Sequence, residues 1–230
     1  MKEKRQNSRI ARKKDWWRQE VVRKKSLVAT ISIIIVPSVF LALLDVIIGD
    51  TELFLLINQR INNSFLDVTC TYGSPVFFSM FFIFILAKLC LSRKADYIAT
   101  AIISIVTGAL SYGVGSLIKF LFVRPRPFDT LQTVRLIGPW ETGSFSFPST
   151  TTMLAFGFAI PILVLYEKRQ YGIILSFFAY FIGFSVVYAG FHFPADVVAG
   201  IFLSMSIAAS TSRINNLAVK FLEKRHVRFS

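Results

Sequence analysis

Three short segments hold most of the residues that could do chemistry. The first is Lys119 to Pro127, where Lys119, Arg124 and Arg126 fall within eight residues and Pro125 and Pro127 stiffen the chain around the two arginines. A cluster of Lys and Arg is the usual holder of phosphate, because guanidinium forks and ammonium groups give charge-assisted hydrogen bonds to its oxygens. The second, Ser144-Phe-Ser-Phe-Pro-Ser-Thr-Thr-Thr152, ends in a Pro-Ser-Thr turn that opens an apolar run. Ser149 is placed there as a helix N-cap, with the N–H groups of Thr150, Thr151 and Thr152 behind it, and a helix start of this kind binds anions. The third is Tyr188-Ala-Gly-Phe-His192-Phe-Pro-Ala-Asp196, which sets one of only two histidines one helical turn from a carboxylate. Asp196 at i+4 can hold one ring nitrogen of His192 and leave the other free to attack or to carry a proton. Each signal alone has a bland reading: a snorkelling cation, an ordinary cap, a structural histidine. Together they describe an anion pocket with a nucleophile.

The elements that must position these residues are membrane helices. The chain has 230 residues, 54% of them hydrophobic, including 24 Phe, and a mean hydropathy of +0.59. Apolar runs approach the roughly 20 residues needed to cross a bilayer at 27–48, 74–91, 97–118, 153–166, 172–189 and 197–212. They are too many, and too late in the chain, for a signal peptide. The expected fold is therefore all-α, a polytopic membrane bundle of about six transmembrane helices. Between the first two runs, Leu53, Leu56, Ile57, Ile61 and Phe65 recur at helical spacing with Asn58, Arg60, Asn62 and Asn63 among them. This pattern fits either an amphipathic helix on the membrane face or a re-entrant or buried loop helix. No repeat or second domain is evident, and the chain divides into a basic tail (1–26), the bundle (27–212) and a basic C-terminal tail (213–230).

The net charge of +13 raises the question of nucleic acid. Its location answers it, because eleven Lys and Arg lie within the first 25 residues, just before the first span. Such a block reads as a cytoplasmic segment facing anionic lipid, with Trp16 and Trp17 suited to the headgroup layer. With the N-terminus inside, only Arg60, Lys119, Arg124, Arg126 and Arg135, of 26 Lys and Arg, fall outside. Both termini are then cytoplasmic and all three chemical segments face out. Cys70 and Cys90 would stand roughly 30 Å apart on a helix and cannot pair with each other. No nucleic-acid partner, cofactor or metal is expected. A channel is disfavoured because, apart from Asp45, the polar residues gather at the ends of the spans.

The three segments together resemble the type 2 phosphatidic acid phosphatase superfamily, which includes lipid phosphate phosphatases, polyprenyl-diphosphate phosphatases and vanadium haloperoxidases. Its motifs are Lys-x6-Arg-Pro, Pro-Ser-Gly-His and Ser-Arg-x5-His-x3-Asp. Here Lys119-x6-Arg126-Pro127 is intact, the second motif reads Pro148-Ser149-Thr150-Thr151, and the third reads Ser185-Val186-x5-His192-x3-Asp196. The resemblance spans about residues 51–212. It implies a metal-independent membrane phosphatase in which His192 attacks phosphorus, oriented by Asp196. Lys119, Arg126, Ser149, Thr150 and Thr151 would hold the phosphate, with Arg124 as an accessory.

Two departures matter. Thr151 stands where the family has its general-acid histidine, and Val186 where it has an arginine that clamps phosphate. A general acid is worth about 10²–10⁴-fold. A charged hydrogen bond is worth about 1.5–3 kcal/mol. Without a proton donor, expelling an alkoxide, whose conjugate alcohol resembles water with a pKa near ~16, is hard. Expelling a phosphate monoester, with a second pKa of roughly 6, is much easier. The expected substrate is therefore a lipid-linked phosphate, and a polyprenyl diphosphate over phosphatidic acid. The alternative is a relative that binds lipid phosphate without hydrolysing it. Fusion reporters test the topology: a reporter in the loop 124–149 should report outside and reporters at both termini inside, and a cytoplasmic loop would put the site on the wrong face.

Overall fold

The computed structural model describes residues 28–139 and 145–226; the basic tail, with Trp16 and Trp17, lies outside the described residues. The described chain is helical: α1 (Val28–Ile48), α2 (Asp50–Leu55), α3 (Ser64–Val68), α4 (Ser74–Leu91), α5 (Ala95–Phe122), α6 (Pro127–Thr130), α7 (Thr150–Leu165), α8 (Arg169–Tyr188), α9 (Pro194–Ser212) and α10 (Asn215–His226). Five helical stretches are long and apolar enough to cross a membrane, and α7 is a shorter apolar helix of 16 residues. The protein is a multi-pass membrane protein built as an all-α bundle.

The six expected spans all appear, with α7 as the short one. At 1.5 Å per residue it extends about 24 Å, less than the ~30 Å hydrocarbon core. It can be short because it is the central helix, packed against α5, α8 and α9. Met153, Phe156, Ile162 and Leu163 on it are fully buried, so it needs no polar face.

Apolar side chains gain little by leaving lipid for a helix interface, so close contact and hydrogen bonds must supply the adhesion. At the α5–α7 crossing, a Cβ on Gly157 would stand 2.8 Å from Gly108 Cα and 3.0 Å from Thr107 O. The two backbones therefore meet through glycine. Beside them Ser104 Oγ donates to Phe158 O at 2.5 Å, and Ser204 Oγ on α9 donates to Met153 O at 2.9 Å. The Thr107 and Thr211 hydroxyls share a bond of 2.6 Å. On the far side, the Ser38 and Tyr180 hydroxyls pair at 2.7 Å and tie α1 to α8.

The segment between α1 and α4 is neither a single amphipathic helix on the membrane face nor a single buried loop helix. It is α2 and α3 with two π-helical turns, Leu56–Arg60 and Thr69–Gly73. Leu53 and Phe54 are buried, whereas Ile61 and Phe65 are exposed. Asn58, on the polar side of the expected stripe, is fully buried. Its amide donates to Arg135 O and Tyr188 O, both at 2.8 Å, and accepts from Arg135 N at 2.9 Å. Two buried carbonyls and an amide N–H that need partners outweigh the local apolar pattern. Residues Asn215–His226, read from sequence as part of a tail, form α10 against α5.

The crossing generates a test. Gly157→Ala should lower stability by about 1–3 kcal/mol, as overpacking does. Gly113→Ala, whose Cβ meets open space, should leave the melting temperature in detergent unchanged or higher. Equal melting temperatures for the two variants would remove the glycine contact as the reason for the crossing.

Candidate active site

Three helix ends meet at one end of the bundle. Helix α5 stops at Val123, which takes a left-handed conformation (φ +48°) and caps onto Lys119 O; Pro125 disfavours helical backbone at Arg124, and Pro127 opens the short helix α6. Helix α7 begins where the sequence placed it: Ser149 is the N-cap and takes the Thr152 N–H. The N–H groups of Thr150 and Thr151 then head the helix without intrahelical partners. Between α8 and α9, Gly190 turns the chain with φ +92°, where a Cβ would stand 2.9 Å from Arg135 O. The next two amides, of Phe191 and His192, both donate to Val186 O, at 3.0 and 3.2 Å.

Asp196 joins these ends. It is fully buried. Its Oδ1 accepts from Arg124 Nη1 at 2.7 Å, and its Oδ2 accepts from Phe193 N at 2.9 Å and from the Ser146 hydroxyl. Its backbone O accepts from Ser149 N at 3.0 Å, which fixes the start of α7 against the start of α9. Arg124 also pairs with Asp50, stacks 4.3 Å over the Phe193 ring, and so spans two carboxylates. Asp50 in turn accepts from Ala195 N at 2.9 Å.

His192 is buried, 3% exposed. Its Nδ1 faces Asp196 Oδ2 at 3.5 Å, too long for a good hydrogen bond; such contacts commonly tighten when substrate binds. Its Nε2 lies 3.5 Å from Arg126 Nη1. A guanidinium can only donate, so this geometry suits an unprotonated Nε2 with the ring proton on Nδ1, toward the carboxylate. Burial pushes the imidazole down from 6.5 to about 4; Asp196 opposes this, and the Arg126 and Lys119 charges reinforce it. The ring is neutral at pH 7 and its outer nitrogen has a lone pair to give.

A cavity of about 320 Å³ opens beside this residue. His192, Arg126, Thr150, Thr151 and Val186 line it, together with Cys70, Thr71, Ser74 and Ser185. A second, about 260 Å³ and lined by Phe78, Phe82, Leu154 and Phe158, shares Pro75, Thr151 and Ile182 with the first. The cavity that holds Arg126 and His192 thus adjoins an apolar groove lined mainly by α4 and α7.

The remaining candidates stand behind that wall. Lys119 Nζ, buried, donates to Phe145 O at 2.5 Å and Ser146 O at 3.1 Å. Ser149 Oγ is paired with the Thr152 hydroxyl at 2.9 Å. Arg126 Nη1 also donates to Phe191 O at 2.8 Å. Asp50 and Ser146 were not singled out from sequence. Ser146 sat inside a highlighted run, but Asp50 had no signal beyond being a carboxylate near a span end. Among the described residues no three His, Cys, Asp or Glu side chains converge as a metal group would.

The chain can be set beside known proteins on this geometry. Undecaprenyl-diphosphatase BcrC of Bacillus subtilis (strain 168) is 31% identical over 118 residues, 51% of this chain, and the match spans 59% of that relative's length. The undecaprenyl-diphosphatase of Sulfolobus acidocaldarius is 28% identical over 175 residues, covering 73% of this chain and 79% of that protein. The crystal structure of Aquifex aeolicus LpxE superimposes with a TM-score of 0.53 at 30% identity, covering 71% of this chain and 94% of that one. The PAP2 superfamily matches residues 97–220. A match across more than half the chain, with the buried His192–Asp196 pair and both neighbouring cations inside it, makes this protein a member of the PAP2 superfamily.

Proposed function

We propose that the protein hydrolyses a lipid-linked phosphate, with a polyprenyl diphosphate as substrate, in the outer leaflet of the cell membrane. The observation that carries this is the buried neutral His192, which lines a cavity together with Arg126, next to an apolar groove with which that cavity shares Pro75, Thr151 and Ile182. The two undecaprenyl-diphosphatases among the relatives support the substrate class.

His192 Nε2 attacks the terminal phosphorus while the phosphorus–oxygen bond to the leaving side breaks. The lipid monophosphate departs with the electron pair. Arg126 and the N–H groups of Thr150 and Thr151 hold the oxygens of the transferred phosphoryl group. Lys119, behind the wall, adds positive charge and holds the 145–146 segment in place. Phosphoryl transfer depends chiefly on positioning and charge neutralisation, and the three helix ends supply both. Asp196 balances the positive charge that His192 gains on phosphorylation. Water then attacks phosphorus, the nitrogen–phosphorus bond breaks, and inorganic phosphate leaves with Nε2 restored. Thr151 and Val186 leave the site without an imidazole acid and a second guanidinium, and a leaving group that is itself a phosphate tolerates that loss best. The basic segments 1–26 and 213–230 flank the 27–212 bundle on the cytoplasmic side, the first against anionic lipid.

In EDTA, purified protein should release phosphate from a polyprenyl diphosphate faster than from phosphatidic acid, and His192→Ala should abolish both activities. Thr151→His should raise the phosphatidic acid rate far more than the diphosphate rate, because only the alkoxide needs the proton. Loss of activity in EDTA, or a fully active His192→Ala variant, would end the mechanism. A folded parent with no turnover on either lipid would leave only a binding role.

The pH dependence has a definite sign. A ring whose pKa is lowered stays unprotonated until pH falls to that value. An NMR titration of the ring, assigned by its loss in His192→Gln, should show His192 neutral at pH 5 with a midpoint near 4. A midpoint near the ordinary 6.5 would contradict the buried, cation-flanked site.

A further inference from the structure

The wall of the main cavity formed by the second π-helical turn, α4 and α8 has no role in holding the phosphoryl group that His192 attacks. Three hydroxyl-bearing residues line it, Thr71, Ser74 and Ser185. Ser74 Oγ donates to Cys70 O at 3.0 Å, and Ser185 Oγ donates to Phe181 O at 2.7 Å, each the ordinary back-bond of a helical serine. Thr71 is different. It is 4% exposed, and its Oγ1 is buried with no hydrogen-bond partner among the described residues. It sits in the middle of the turn Thr69–Gly73, where the wider winding removes the usual relation to the carbonyl one turn back; π turns of this kind are frequent at functional sites. An orphaned hydroxyl destabilises the protein that carries it, and valine would fill the same volume without that penalty. The hydroxyl is therefore suited to a partner that arrives with a ligand. The hydroxyl oxygen is itself shielded in the rotamer seen, but Thr71 lines the cavity and threonine in helical backbone divides between two χ1 wells, so one rotamer step carries the hydroxyl to the place of another Cβ substituent.

We propose that Thr71 is a substrate-binding residue: its hydroxyl donates to the leaving-side phosphate of a diphosphate, while Arg126 and the head of α7 hold the terminal one. The cavity, at about 320 Å³, is larger than a single phosphate group fills. With Val186 and Thr151 in place of charged or acidic side chains, the leaving-side oxygens must be met by neutral donors. This inference rests on the diphosphate reading above, so the test separates recognition from turnover.

Binding of methylenediphosphonate, which cannot be hydrolysed, and of inorganic phosphate is measured calorimetrically on the full chain in detergent. The parent should bind methylenediphosphonate more tightly than phosphate. Thr71→Val should weaken methylenediphosphonate about tenfold, with phosphate affinity unchanged and the melting temperature equal or higher. Thr71→Ser, which keeps the hydroxyl, should retain the parent's preference. A parent that binds the two ligands alike, a Thr71→Val variant that binds both as the parent does, or one that loses both equally, overturns the assignment. A parent that binds but does not hydrolyse a polyprenyl diphosphate removes the hydrolytic reading alone, and the binding comparison still decides Thr71.

Discussion

A carboxylate with no solvent exposure must be surrounded by donors, because taking an ion out of water costs several kcal/mol even after relaxation. Asp196 is that group here, and the donors around it come from separate parts of the chain: Arg124 after α5, Ser146 before α7, and the first turn of α9 itself. Satisfying one charge therefore brings together the three helix ends that form the pocket. The same residue's backbone carbonyl takes the Ser149 N–H, so the anion-binding start of α7 is registered against the histidine loop. Arg124 passes the constraint on to Asp50, and Asp50 returns it to α9 through Ala195 N. Removing Arg124 would leave the buried Asp196 carboxylate without its counter-ion, the costly way to break such a pair.

Within this frame the nucleophile is prepared by what it lacks. Desolvation and two nearby cations disfavour a proton on His192, and Asp196 only partly offsets them. An imidazole in water is half protonated near pH 6.5; here it holds its lone pair across the neutral range. The same cations that keep it unprotonated would also favour an anion beside it.

Rigidity at that end of the bundle is inherited from the packing below it. Helix α7 is too short to span the bilayer comfortably and is held at the centre by glycine contact with α5 and by serine hydroxyls from α5 and α9. These are the forces that remain when lipid replaces water and burial of apolar side chains no longer drives association. A shift of α5 against α7 would move Arg126 relative to Thr150, so the crossing at Gly108 and Gly157 bears on the shape of the cavity those two residues line.

Patterns that depend on neighbouring residues were legible in the sequence. Length and hydropathy identify the spans, because a bilayer has a fixed thickness. The i, i+4 spacing kept Asp196 close to His192, although the histidine stands in the turn before α9 and not on the helix, with Nδ1 3.5 Å from the carboxylate. The Pro-Ser-Thr turn marks the start of α7, because a serine side chain can close the helix's own first turn. Pairings across the chain were not legible. Arg124 binds carboxylates 72 and 74 residues away. Lys119 gives its ammonium group to the carbonyls of Phe145 and Ser146, away from the cavity. Asn58, on the polar side of an amphipathic stripe, becomes fully buried as a clamp on Arg135 and Tyr188. In each case burial decides, since a charge or amide enclosed by the bundle bonds to whichever group the fold brings within reach. That choice is made when the helices meet and leaves no periodic trace in any one of them.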